Sequence, residues 1–559
     1  MYHQLFLFFL IIGTSIKAVP EKKIIIVIPS YNNPLHITRA CLESALNQNY
    51  SNFEILFCDD CSPQPDIEQR HRELIKELDK HNKITYKRNK NRYGPIGNQW
   101  LAWHSINPDN ILDNRDIIVA NLDGDDLLEP DALAIVNELH EKAWVTWGQF
   151  DLYPSHDAHN DCCDISESII AANEWRKVPG GLATSHLRTA RLSLLKELPM
   201  EALLYKGNFY PAAGDAPLMW SLCEKAGFHT AYNPRIVYHY RQTDQCESKI
   251  YAQLSAECAQ FARQQKPFAP LNELTAQTPA SFFKTDLIIF SYNRPMQLYA
   301  LLESIQQHIT GLNTTTILYR ADTDYEQAYQ EVIKAFDRST FIKQANNPCN
   351  DFKPLFMSIL KETSGDYIMF ATDDNIVKDA VSITECIKAL QKTHAYGFHL
   401  RLGKNINHFY MLNKPQQLPL LIDIENDIYA WQKGTVTDYW SDWAWINTLD
   451  MTLYPKHEII NSLFSTYYEN PNTLENALAN LLPSLQQKVC LCFKQSKTLN
   501  IPLNRVQNVY VGNRSMNNGY TTKFLLEQFN AGYKIDLKPL YQSNNCSVHQ
   551  EHNITFIKR

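Results

Sequence analysis

Short apolar runs alternate with longer amphipathic stretches along the first half of the chain. The alternation predicts strands over 24–28, 53–58, 84–88 and 116–122, and helices over 35–47, 67–80, 96–106 and 131–142. Strands spaced by helices in this way predict an α/β domain with a mostly parallel sheet flanked by helices on both faces. Asn33-Pro34 suits the start of the first helix, with Asn as cap and Pro at the first helical position, where its missing N–H costs nothing. From 245 to 278 the chain is rich in Ala, Gln and Glu and poor in strand signals, and Pro267, Pro270 and Pro279 punctuate its end, which predicts a helical linker over 246–282. The alternation then restarts, with strands expected over 287–290, 315–319 and 367–370 and helices over 296–308 and 326–336. The C-terminal stretch shows no clear alternation.

The two halves share residues as well as rhythm. Ile24-Ile25-Ile26-Val27-Ile28 runs into Pro29-Ser30-Tyr31-Asn32-Asn33-Pro34, and Leu287-Ile288-Ile289-Phe290 runs into Ser291-Tyr292-Asn293-Arg294-Pro295. Leu42-Glu43-Ser44 then matches Leu302-Glu303-Ser304, and Asp125-Asp126 matches Asp373-Asp374, in the same order and at nearly constant spacing. A shared order of landmarks predicts a duplicated fold, with domains over 21–245 and 283–559. The length of 559 residues agrees, since one hydrophobic core stops growing well below that.

Composition narrows the class. Hydrophobic content of 44% with charged content of 20% is that of a globular protein, and a net charge of −7 argues against a nucleic-acid partner, which needs a clustered basic face. Thirteen cysteines, an odd number lying mostly in apolar runs, read as free thiols, and Cys58-Asp59-Asp60-Cys61 has no second pair at zinc-site distance. Residues 1–20 carry an apolar run from Leu5 to Ile12, which suits a signal peptide or a short anchor; Lys17, Lys22 and Lys23 follow it, and as an anchor it would keep the body on the cytosolic side. Membrane association through this segment is one of the two readings.

Candidate chemistry sits where apolar strands end in polar residues, the place at which open α/β sheets bind phosphates and metals. Tyr31-Asn32 ends the first strand, Asp59-Asp60 the second, and Asp123-Gly124-Asp125-Asp126 the fourth. Consecutive carboxylates repel one another, and a hard divalent cation, Mg²⁺ or Mn²⁺, would relieve the repulsion; a solvated acidic turn is the plainer reading.

In combination these residues resemble the family 2 inverting glycosyltransferases of GT-A fold. The resemblance runs through Pro29-Ser30-Tyr31-Asn32, Asp59-Asp60, Asp123-Gly124-Asp125 and Gly214-Asp215-Ala216-Pro217. It implies two tandem GT-A-like domains, Rossmann-like and nucleotide-sugar-binding, the second divergent. It implies a nucleotide-sugar donor, UDP-linked by family habit, and a glycan, lipid-linked or protein acceptor. Pro29, Tyr31, Asn32, Asp59 and Asp60 would meet the nucleoside, Asp123 and Asp125 the ribose and the metal, and Asp215 would be the general base. Arg92 and Arg188 are expected at the diphosphate or the acceptor, with surface salt bridging as the alternative; Asp215 could also cap its helix, a role that does not exclude the base.

The sequence departs from the family at Cys61, where Gly is usual, and at Tyr240-Arg241-Gln242-Thr243, which lacks a final His that the neighbouring His239 could replace. In the second half Tyr292 and Asn293 are kept as donor contacts and Asp373 and Asp374 as metal ligands. Ala371 aligns with Asp123, and Arg320-Ala321-Asp322 stands in for the Asp pair. Glu475 is the candidate second base, or half of a capping box with Asn472. Trp440, Trp443 and Trp445 are a sugar platform or core. Two other classes fit less well: a glycan-binding protein built from decayed transferase domains, and a nucleotidyltransferase, which would want a basic Gly-rich phosphate loop.

Overall fold

The computed structural model describes residues 20–107, 115–159, 162–179, 182–242, 251–345, 348–506, 514–516 and 519–559. The N-terminal apolar segment and Thr243 lie outside them. Among the described residues no helix is long and apolar enough to cross a membrane. The chain divides into two compact units, 1–195 with 212–276, and 196–211 with 277–559.

The first unit is built on one sheet. Its order is Ile84–Arg88, Phe53–Asp59, Ile24–Ser30, Ile118–Asn121, Arg188–Arg191, Val145–Tyr153, Thr230–Arg241 and Leu127–Leu128. The first four strands are parallel, Arg188–Arg191 runs against both its neighbours, and Val145–Tyr153 pairs in parallel with Thr230–Arg241. Ile24, Ile26, Ile28, Phe57, Ile118 and Ala120 are fully buried in its core. Burial of each Ile or Phe side chain stabilises the unit by about 1.5–3 kcal/mol, which is why the apolar runs become central strands.

The stretch expected as a linker is largely part of this unit. Helix Ala252–Gln264 lies on helix Asp215–Ala226, with Cys258 and Ala262 fully buried. Pro34 is the cap of helix Leu35–Leu46, one place later than the sequence suggested. The Asn33 side chain donates to Ser30 Oγ at 3.4 Å instead.

The second unit repeats the arrangement. Its sheet runs Thr340–Lys343, Thr314–Arg320, Thr285–Tyr292, Tyr367–Thr372, Thr452–Pro455, Gly397–His399, Val489–Phe493, Ile428–Gln432 and Ile422–Asp423. Strand directions match those of the first sheet over eight positions: four parallel, one reversed, two forward, one reversed. The eighth strand has a different origin in the two units, following the fourth strand in one and lying between Gly397–His399 and Thr452–Pro455 in the other. The expected fold class therefore holds, an α/β fold with a mostly parallel GT-A-like sheet and a second sheet of the same plan.

Register corrects one alignment. Val27 pairs with Asn121 and Ile288 with Phe370, so Thr372 stands where Asp123 does, Asp373 at the place of Gly124, Asp374 at that of Asp125 and Asn375 at that of Asp126. Matching Asp-Asp to Asp-Asp in the sequence placed the second half one residue out, because identical letters outweighed the backbone count. Of the three tryptophans, Trp443 is buried core donating Nε1 to Ile406 O at 3.0 Å, Trp440 is exposed, and Trp445 is partly buried.

Candidate active site

The repeated Tyr-Asn is a backbone device. Asn32 and Asn293 have φ of 56° and 52°, the left-handed conformation that Asn tolerates better than most residues. This turn lets the chain leave the strand while the preceding Tyr ring remains at its end. Arg92 sits over the Tyr31 ring at 3.9 Å and Arg320 over the Tyr292 ring at 4.5 Å, so both rings carry a guanidinium on one face. Cys61 has φ of 60°, which accounts for the glycine usual at that position in the family it resembles.

Asp59 and Asp60, expected at the nucleoside, are both buried and bonded within the protein. Asp59 is fully buried, accepts from Arg88 Nε at 2.9 Å and is bonded by the Ser62 hydroxyl. Asp60 accepts from the backbone N–H of Gly94 at 2.8 Å and of Tyr93 at 3.0 Å, and from Asn89 Nδ2 at 2.9 Å. Its carboxylate therefore lies at the start of helix Gly94–Ser105, where the unpaired N–H groups favour negative charge. Burial nevertheless raises its pKa, against these bonds. Desolvated carboxylates need partners, and each found them within the protein; both shape the loop that carries Arg92.

The Asp123-Gly124-Asp125-Asp126 turn is fixed from three sides. Gly124 N donates to Pro29 O at 3.1 Å, and a Cβ on Gly124 would lie 2.6 Å from that oxygen. Pro29 thus contributes its carbonyl, since its ring is buried in the strand. Asp126 is buried, accepts from the Tyr238 hydroxyl at 2.6 Å and from Arg241 N at 2.7 Å, and has its pKa pushed well up by burial and by Asp125 and Asp123. Gly124→Ala should force the two strand ends apart, destabilising the unit by about 1–3 kcal/mol. Donor affinity should fall with it, as isothermal calorimetry against a thermal melt would read.

Arg188 joins the turn to the candidate base. Paired with Asn121 at the start of its strand, it donates through Nη2 to Asp123 Oδ2 at 2.9 Å and through Nη1 to Asp215 Oδ2 at 3.3 Å. Its side chain is 4% exposed, against 29% for Asp123 and 36% for Asp215. Burial opposes its charge, but the two carboxylates outweigh burial and hold its pKa above the ordinary value. Expected at the diphosphate or the acceptor, or in a surface salt bridge, Arg188 is buried and its guanidinium is paired with two carboxylates.

Asp215 opens helix Asp215–Ala226, whose cap is Gly214, so Asp215 is a first-turn residue and not the cap. A Cβ on Gly214 would meet Ile96 Cβ at 2.9 Å, so only glycine lets the helix start approach that close. Tyr238 is a site residue that sequence reasoning missed; its hydroxyl also accepts from Asp123 N at 3.3 Å, and the ring stacks on His186 at 4.3 Å. Its signal was the period-two pattern of Tyr238 and Tyr240 along one strand. His239, next along, points to the other face, toward Asp151 and Glu129, and does not join the Asp123 turn.

The second unit differs where it matters. Arg294, at the position of Asn33, is buried and places Nη1 2.9 Å from Asp373 Oδ1 and 3.1 Å from Asp374 Oδ2. Burial raises the Asp373 pKa to about 6 against the pull of Arg294. The Asp373 and Asp374 carboxylates, expected as metal ligands, are paired here with a side-chain cation. Arg320 pairs opposite Tyr292, at the place of Asp60, and Asp322 accepts from the Tyr292 hydroxyl at 3.0 Å and Asn293 Nδ2 at 2.8 Å. Glu475 lies on the helix before the seventh strand, as Asp215 does, and accepts from Thr448 Oγ1 at 2.9 Å and Leu449 N at 3.2 Å. The capping box there is Asn470 with Thr473, not Asn472 with Glu475.

A parallel half-sheet with acidic strand ends, followed by a reversed strand and a helix that brings one more carboxylate to the same edge, defines the GT-A class of fold. Within that class residues 25–179 match the family model of glycosyl transferase family 2, so the first unit carries a domain of that family. The chain is 24% identical over 257 residues to the bifunctional glycosyltransferase pgtA of Dictyostelium discoideum, covering 40% of this chain and 32% of that one. It is 33% identical over 124 residues to the chondroitin synthase of Escherichia coli, covering 22% and 16%. The match thus spans about a third or less of these curated relatives. Among solved structures, S. aureus TarS 1–349 in complex with UDP-GlcNAc is 16% identical with a TM-score of 0.29, over 40% of this chain and 59% of that one. The mannosyltransferase PcManGT from Pyrobaculum calidifontis, in complex with GDP-Man and Mn²⁺, is 14% identical with a TM-score of 0.30, over 45% and 67%.

Proposed function

We propose that this chain is a glycosyltransferase whose first unit transfers a sugar from a nucleoside diphosphate, UDP in our reading, to a hydroxyl of a glycan, lipid-linked or protein acceptor, with inversion. The observation that carries the proposal is Arg188, which ties Asp123 of the strand-end turn to Asp215 of the helix. The family 2 domain over residues 25–179 supports the same reading.

In this proposal Asp215 accepts the acceptor's proton as that oxygen bonds to the anomeric carbon from the face opposite the leaving group. The bond to the diphosphate breaks and takes its electron pair with it. Arg188 orients the Asp215 carboxylate through Oδ2 and keeps its partly exposed edge toward the acceptor. Tyr31 and Arg92 form the wall on which the nucleobase would lie. Hard oxygen donors suit a divalent cation at Asp125 and Asp123, and their charge, which adds to burial in raising the pKa of Asp126, is what it would offset. When bound, such an ion neutralises charge on the departing diphosphate.

Incubating the full chain with UDP- and GDP-sugars and Mn²⁺ should release the nucleoside diphosphate. Absence of turnover with every donor tried would overturn the proposal and favour the glycan-binding reading. The second unit, with Arg294 between its carboxylates, is proposed not to use the ion. Asp374→Asn should then leave the Mn²⁺ requirement of transfer unchanged, whereas Asp125→Asn should raise it by about tenfold or more; a metal titration of the rate distinguishes the two.

A further inference from the structure

A second cluster of metal-ligating side chains lies on the opposite face of the first unit's sheet. Asp151 and His239 are paired neighbours on adjacent strands, so both point to one side. The turn after Val145–Tyr153 brings His156, at φ 58°, back over them. The Asp151 carboxylate lies between two imidazoles, with Oδ2 2.9 Å from His156 Nδ1 and Oδ1 2.5 Å from His239 Nδ1. One ligand atom from each of the three residues falls within 4.8 Å of the others. On its far side His239 Nε2 is 2.8 Å from Glu129 Oε1. A carboxylate behind an imidazole fixes its tautomer and turns the other nitrogen toward a ligand, the usual arrangement behind a metal-bound histidine.

We propose that Asp151, His156 and His239 form a binding site for a borderline transition-metal ion, Zn²⁺ by its donor set, with Glu129 as the positioning residue. Two imidazole nitrogens and one carboxylate oxygen are three ligands of a tetrahedral site, water taking the fourth place. Asp151 and His239 are nearly buried, which preorganises them, while His156 is 57% exposed and gives the ion a way in. None of the Asp123-Gly124-Asp125-Asp126 carboxylates belongs to the group, so the site is separate from the cation of the donor turn. Hard Mn²⁺ or Mg²⁺ would prefer the oxygens of that turn and Zn²⁺ the imidazoles. A bound ion would clamp the His156 turn to the Thr230–Arg241 strand.

Co²⁺ reports the geometry directly. Titrated into the full chain after chelator treatment, it should give visible d–d bands that saturate at one equivalent and are displaced by Zn²⁺. Asp125→Ala should leave those bands in place. His156→Asn, which keeps a residue tolerant of the left-handed turn, should abolish them, and Glu129→Gln should weaken Co²⁺ binding by about 10–100-fold. Bands that survive His156→Asn, or that vanish in Asp125→Ala, would overturn the proposal. Circular dichroism of each variant checks that the fold is intact.

Discussion

Asp215→Asn is expected to lower turnover by about 100-fold or more while changing donor affinity by no more than about twofold. The substitution keeps the size of the side chain and its bond to Arg188, since an amide oxygen also accepts from Nη1. What it removes is the capacity to take a proton from the acceptor hydroxyl. The donor, in the proposed function, meets Tyr31, Asp123 and Asp125, none of which loses its position. Calorimetry with the intact nucleotide sugar and single-turnover kinetics separate binding from chemistry. Equal loss of both would mean that Asp215 holds the donor turn through Arg188 and is not the base.

The second large effect concerns stability. Arg176→Met should destabilise the first unit by about 3–5 kcal/mol, because it strands a buried carboxylate. Arg176 reaches Glu224 through Nε at 2.5 Å and Nη2 at 2.9 Å, and Glu224 is fully buried. The same guanidinium donates to Ala262 O at 2.6 Å, and Glu224 also accepts from Phe268 N at 3.0 Å. The pair therefore pins helix Asp215–Ala226, which carries the candidate base, to helix Ala252–Gln264. For a unit of this size the loss corresponds to a fall of about 10 °C in Tm. Glu224→Leu added to Arg176→Met should recover most of it, since apolar side chains of similar volume often replace a buried ion pair at little cost. A double variant no more stable than the single one would show that the backbone bonds to Ala262 and Phe268, rather than the unpaired charge, set the penalty.

Legibility in the sequence followed the physics of burial. The Ile24–Ser30, Phe53–Asp59 and Ile118–Asn121 strands are apolar because both faces are covered, so their residues announce them. Strand Arg188–Arg191 gave no such signal: Arg-Thr-Ala-Arg reads as surface, yet both arginines are buried, Arg188 on two carboxylates and Arg191 on backbone carbonyls including Asp116 O at 3.2 Å. A strand whose burial rests on ion pairs and hydrogen bonds looks polar until its partners are placed. Asp59 and Asp60 were illegible in the opposite sense, since carboxylates at a strand end read the same whether they face solvent or are held by Arg88 and a helix N-terminus.

By itself, then, the sequence determined the duplicated α/β plan and the strand ends where chemistry gathers, because periodicity and local turn chemistry are properties of neighbouring residues; Asp215 as the candidate base came from the family resemblance. Only the tertiary structure decided which carboxylates are occupied. Arg188 lies far along the chain from Asp123, and Arg294 from Asp373; ion pairs across such separations are set by sheet register, which places Thr372 and not Ala371 at the position of Asp123. The repeated Tyr-Asn looks the same in both halves, but a guanidinium at Arg294 fills the turn that the first unit leaves to Asn33.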